Sequence, residues 1–182
     1  MARKKPKYPR TLKYLRQYKA EVVAEMKKNL EKVNASGKLS DSIKASRTSI
    51  VDDNINWYIE MEDYAKFVDQ GVKGADPNGI YKNNDQKQGV QRAPNSPYSY
   101  KTKMPPPSAL DSWGVRRGIA PRDSKGRFVP RRSLNFAIAK SIFHQGLKPT
   151  YFLTKTYSKY LTPEFETELM LNYSRDIEDQ FK

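Results

Sequence analysis

SGKLSDSIKASRTSIVDDNINWYIEMEDYAKFVDQGVKG, residues 36–74, changes its hydrophobic period twice, and the fold is read from those changes. From Asn54 to Glu62 apolar residues alternate strictly. Ile55, Trp57, Ile59 and Met61 share one face, while Asn56, Tyr58, Glu60 and Glu62 share the other. Period-two alternation marks a strand with one buried face. Lys44 to Val51 is a weaker β-prone run, and Val51-Asp-Asp-Asn54 supplies turn residues, so the two runs form an expected β-hairpin. After Glu62 the spacing turns helical: Asp63 is placed to cap, Tyr64, Phe67 and Val68 fall on one face, and Gly71 ends the turn.

Working outward, a helix is expected over residues 11–34. Leu15, Val22, Met26 and Val33, with Leu12, Tyr18, Val23 and Leu30, make an apolar stripe. Lys13, Arg16, Lys19, Lys27, Lys28 and Lys32 occupy the rest of its surface, and Lys13, Arg16, Lys27 and Lys28 are the candidates to face DNA. Residues 1–9 read as a basic flexible arm. Toward the other end, Ser133 is read as the cap of a helix that Gly146 closes, bearing Leu134, Phe136, Ile138, Ala139, Ile142 and Phe143. Pro149 is read as opening a second, with Leu153, Tyr157 and Leu161 aligned. Thr162-Pro163-Glu164 starts a last helix on which Phe165, Leu169, Tyr173, Ile177 and Phe181 recur every four residues.

Between these parts, residues 75–131 lose regular period and are rich in Pro, Gly and Asn. Pro106 or Pro107 opens a short expected helix over residues 108–117, and Lys125-Gly126 reads as a tight turn. Tyr81, Tyr98, Tyr100 and Trp113 are more large rings than a linker needs, so the segment is expected to be an arm that orders against a neighbour. The expected architecture is α+β. A long N-terminal helix and the C-terminal helices pack on a small antiparallel hairpin sheet, in one core domain (residues 10–74 and 132–182) with 75–131 inserted.

Composition bounds the function. The chain has 182 residues, 37% of them apolar, and a net charge of +14. Residues 1–34 carry 11 basic against 3 acidic groups and residues 71–131 carry 12 against 4, whereas residues 35–70 carry 4 against 7. A basic helix and arm around an acidic hairpin favour contact with nucleic acid or an acidic protein. No apolar run is long enough to span a membrane, and no apolar segment follows MARKKPKYPR to make a secretory signal. With no cysteine, disulfides and thiolate metal sites are excluded, and folding in the cytosol is favoured.

Catalytic chemistry finds little support. The single histidine, His144, has no cysteine or second histidine to work with. Asp52, Asp53, Glu60, Glu62, Asp63 and Asp69 cluster in sequence, which admits a magnesium nuclease. The two aspartates are favoured turn residues, however, and the glutamates lie on the outward strand face. No phosphate-cradling glycine motif occurs. The expectation is a protein without catalysis, cofactor or metal. Tyr81, Tyr98 and Tyr100 among Lys82, Lys87, Arg92, Lys101 and Lys103 suit base stacking and phosphate contact, so a free nucleic-acid-binding protein is the alternative. The same residue types suit a protein interface.

Three short motifs in order carry a resemblance: Gly37-Lys-Leu-Ser-Asp-Ser-Ile43, Tyr64-Ala-Lys-Phe-Val-Asp-Gln-Gly71 and Gly146-Leu-Lys-Pro-Thr-Tyr-Phe-Leu153. The pattern resembles the tail-completion and neck proteins of tailed phages, in the small head–tail-joining class. The resemblance covers roughly residues 10–74 and 132–181, and the long middle segment departs from it. It implies a structural virion protein, assembled in the host cytoplasm into a ring of six or twelve copies at the neck. Portal, adaptor or tail-tube proteins would be its neighbours, with packaged double-stranded DNA nearby. Tyr58, Glu60, Glu62, Tyr81, Tyr98, Tyr100, Trp113, Arg116 and Arg117 are the candidate subunit-interface residues, with an acidic sheet face meeting the basic arm of the next protomer.

Overall fold

The computed structural model describes residues 6–31, 37–51, 54–75, 80–82, 88–116 and 118–182, and of 80–82, 88–90, 113 and 116 the backbone alone. The turn at Asp52-Asp53, the helix end before Gly37, the first residues of the basic arm and the Asn-rich run 83–87 lie outside the described residues. The fold is α+β, built from helices and two-stranded antiparallel sheets. Its contacts form two compact units. One comprises Met1–Glu31, Ser40–Glu62 and Phe152–Lys182, the other Lys32–Leu39 and Asp63–Tyr151.

The first unit is built around α1 (Pro9–Leu30), with proline at the start, where its missing N–H costs nothing. Tyr8, Leu15, Tyr18, Val22, Met26 and Leu30 are buried along one face. Helices α6 (Phe152–Tyr160) and α7 (Pro163–Glu178) pack against that helix. Tyr8 meets Tyr173 at 5.1 Å, and Tyr18 stacks on Phe165 at 4.0 Å. Tyr8 thus belongs to the core and not to a flexible arm. Helix α1 has no N-cap side chain of its own. Asp176 of α7 supplies one: its carboxylate accepts from the main-chain N–H groups of Arg10 (3.1 Å) and Thr11 (2.8 Å) and from the Thr11 hydroxyl (2.8 Å). On α6 the buried residues are Phe152 and Thr156, whereas Tyr157 and Leu161 are exposed, so the predicted Leu153–Tyr157–Leu161 stripe is turned from the true inner face. Burying Thr156 is tolerated because its hydroxyl donates to Phe152 O (2.7 Å) and accepts from Asn29 (3.1 Å).

After the short helix α2 (Lys38–Ser42), the hairpin forms where the alternation places it, in two pieces. Strand β1 (Lys44–Ala45) pairs with β4 (Ile59–Glu60), and β2 (Ser49–Val51) pairs with β3 (Asn54–Asn56). Between the pieces, three residues (46–48) oppose two (57–58), so the first strand carries a bulge. Trp57 turns toward α1 and meets Tyr18 edge-on at 6.1 Å.

In the second unit, α3 (Ala65–Gln70) ends at Gly71, with φ +71°, as expected. Its cap position is Tyr64, without a side-chain bond, and not Asp63. The short 3₁₀ turn Pro107–Leu110 leads into α4 (Asp111–Arg116), and α5 (Arg131–Gln145) starts after Pro130, so Ser133 lies inside the helix and does not cap it. Helix α5 ends at Gly146, φ +86°, and the chain enters β8 (Gly146–Leu147), which pairs with β5 (Val72–Lys73). Two helices therefore finish on a left-handed glycine, and the residues after each pair with one another. Strands β6 (Ile80–Lys82) and β7 (Gln88–Val90) form a further hairpin.

Residues 91–112 are not an arm reaching outward. Lys73 bonds through both its N–H and its carbonyl to Tyr98 O (2.8 Å) and Tyr100 N (2.9 Å). Ser96 donates to Gly71 O (2.7 Å), and Arg92 N donates to Gln145 O (2.7 Å). The Asn135 amide of α5 donates to the Asp111 carboxylate of α4. Hydrogen bonds to Gly71, Lys73 and Gln145 and the rings of Tyr98 and Tyr100 hold this stretch on its own unit.

Candidate interaction surfaces

The outward face of the hairpin is the first candidate. Tyr58, Glu60 and Glu62 are exposed, Tyr58 by 62%, and their side chains make no hydrogen bond or ion pair among the described residues. Ile55, Trp57, Ile59 and Met61 are half-buried on the other side. Glu60 faces Lys44 across the β1–β4 pair.

The second candidate is a cleft of about 840 Å³ within the second unit. Phe67, Tyr98, Tyr100, Ile142 and Leu147 make it strongly apolar. Tyr98 lies edge-on to Phe67 at 4.7 Å, and Tyr100 is tilted against Phe143 at 6.0 Å. Burial pushes the Tyr100 hydroxyl pKa up. Tyr98 and Tyr100 therefore line their own unit's cleft and do not sit on an extended arm. The side chains of Tyr81, Trp113 and Arg116, and all of Arg117, lie outside the described residues.

At the far end of the middle segment, residues 121–129 close a small turn. Asp123 accepts from the main-chain N–H of Lys125 and Arg127 (both 2.9 Å) and from the Arg127 guanidinium (3.1 Å), and these bonds, Arg127 N–H first, hold its carboxyl below the usual range. Gly126, φ +77°, makes the turn. Phe128 is 62% exposed, with the Arg122 guanidinium 4.0 Å from its ring centre.

Of the basic residues on α1, Lys13, Arg16 and Lys28 are exposed and Lys27 is half-buried. Lys19 is turned inward, toward the bulge. Among the described residues no group of three or more His, Asp or Glu side chains is placed to hold a metal ion. Asp69 is buried, whereas Glu60 and Glu62 are exposed. His144 lies in the last turn of α5, edge-on to Phe143 at 5.3 Å. No helix among the described residues is long and apolar enough to cross a membrane. The chain matches no protein-family model, no curated protein and no solved structure.

Proposed function

We propose that this chain is a structural subunit of a tailed-phage virion. Copies form a ring at the neck, joining portal and tail around the DNA channel. The reading rests on the three motifs in order, and two of them meet: the second ends at Gly71, just before β5, and the third begins at Gly146, in β8, the strand that pairs with it. The observation that carries it is the hairpin's outward face, a ring and two carboxylates held in solvent on a sheet only two strands wide. The hairpin packs one face on α1, but its edges leave main-chain groups unpaired, which favours a neighbour there. A head-to-tail contact of that face with a basic surface of the next copy gives a closed ring when the rotation between copies divides a full turn. Because residues 91–112 fold onto their own unit, the basic partner surface is sought elsewhere than on that stretch.

The test is complementation. Deleting the chain from the phage that encodes it yields heads and tails that do not join. Wild type restores joined particles, while Glu60→Lys/Glu62→Lys is folded but does not. Joined, infectious particles without the chain would refute the proposal.

A further inference from the structure

A groove of about 620 Å³ runs between α1 and the bulged strand of the hairpin. Its polar lining is entirely cationic or hydroxylic: Arg16 and Lys19 from α1, with Ser46, Arg47 and Thr48 from the bulge, over an aliphatic floor that includes Leu12. Arg16 and Lys19 stand three apart on the helix and so share a face. The extra residue in the strand swings Arg47 to the same opening, which is a common use of a bulge.

Lys19 is the informative member. It is only 8% exposed, yet among the described residues it forms no ion pair with a carboxylate. Its ammonium donates to Ser46 O (2.9 Å) and Thr48 Oγ1 (2.8 Å) and sits 5.9 Å from the Trp57 ring centre. Those two bonds leave the third N–H for a ligand. Arg16 and Arg47 likewise form no ion pair among the described residues. Burying a cation without a counter-charge is costly. Burial first, and the neighbouring Arg16 second, pull the Lys19 pKa below its usual value, a penalty that an incoming anion would reverse.

We propose that this groove is an oxyanion site that grips the phosphodiester backbone of a nucleic acid. Two guanidinium forks and one ammonium suit phosphate oxygens, the Thr48 hydroxyl supplies a further donor, and no carboxylate lines the groove among the described residues. The aliphatic floor carries no base-reading group, so binding is independent of sequence. The proposal stands apart from the ring reading, because the groove lies within a single protomer.

The test measures fluorescence anisotropy of labelled single-stranded and duplex DNA with the full chain across a salt series. Three variants are compared: Arg16→Gln/Arg47→Gln, Lys19→Met, and a control that loses the same charge elsewhere, Arg131→Gln/Arg132→Gln. Circular dichroism establishes that each is folded. The expected result is binding that weakens about ten- to a hundredfold in Arg16→Gln/Arg47→Gln, with the duplex salt slope reduced by about two. Lys19→Met weakens it by about tenfold, and the control changes it less than about threefold. Equal losses in groove and control variants, or no binding by wild type at low salt, would overturn the proposal. So would groove-dependent binding of inorganic phosphate or of polyglutamate without DNA binding, since the first points to a free anion and the second to an acidic protein.

Discussion

Asp176→Ala removes the one carboxylate that caps helix α1. It strands the N–H groups of Arg10 and Thr11 and the hydroxyl of Thr11, a residue with no exposed surface. Losing an N-cap costs about 1 kcal/mol. Leaving a buried hydroxyl and a charge-assisted donor unsatisfied adds about 1–3 kcal/mol. The sum, about 3 kcal/mol, lowers the melting temperature of a chain this long by roughly 10 °C. Asp176→Asn keeps one acceptor oxygen and costs about half as much. Arg10→Ala is the necessary contrast. Its guanidinium pairs with Asp179 at the surface and stands 3.8 Å from Asp176, half in solvent, so its loss costs under about 1 kcal/mol. Urea unfolding followed by circular dichroism reads all three. If Asp176→Ala costs no more than Arg10→Ala, the carboxylate is not the cap that docks α7 on α1, and the account of the first unit fails.

Three further outcomes follow from the structure. Gly146→Ala forces a side chain into left-handed backbone and drives its Cβ against Val72 O and Gly74 N, so it costs at least about 2 kcal/mol. Gly126→Ala has the same backbone sign but open space, and costs only about 1 kcal/mol; equal melting temperatures for the two would contradict the β5–β8 packing. Tyr18 donates its hydroxyl to Tyr160 O, and burial, aided by Tyr14 and Tyr160, pushes its pKa up to about 12 from 10.0. Since the folded form holds that proton more tightly, its stabilisation is complete below pH 10.0 and is lost as pH rises through about 12. Tyr18→Phe removes the latest-titrating component of the tyrosinate absorbance; an unchanged curve would refute this. Asp123 should titrate below its usual 3.8 in NMR, chiefly through the Arg127 main-chain N–H, and Arg127→Gln, which removes only the guanidinium bond, moves it part of the way back; a wild-type carboxyl at or above 3.8 would show that the turn at 121–129 does not hold.

The sequence carries the local signals clearly and the distant ones hardly at all. Alternation over residues 54–62 locates the strand and its exposed Tyr58, Glu60 and Glu62, because side-chain direction in a strand depends only on position. The apolar stripes of α1, and of α7 as far as Ile177, are legible for the same reason, whereas Phe181, expected on that stripe, lies beyond the end of α7 and is exposed. The bulge at 46–48 is not, since an extra residue is visible only against the partner strand. Nor is the capping of α1 by Asp176, a partner 166 residues from Arg10, which in sequence looks like one more surface acid on the last helix. The inner face of α6 is misread because Thr156 breaks the apolar pattern and is satisfied by Asn29, from another helix. Irregular composition in residues 91–112 resembles a free arm. Its order comes from bonds to Gly71, Lys73 and Gln145, which no local pattern announces. The groove is missed for a related reason: Arg16 was legible as a surface cation, but Lys19 and Arg47 join it only once the bulge is formed.

The central claim is the place of this chain in a particle, and an image of the neck tests it most directly. A reconstruction of purified virions, with the chain tagged at Lys182, should show a closed ring of label between portal and tail, with each hairpin face against the next copy. Particles whose neck density leaves no room for α1, α6 and α7, or that contain no tagged chain, would contradict it.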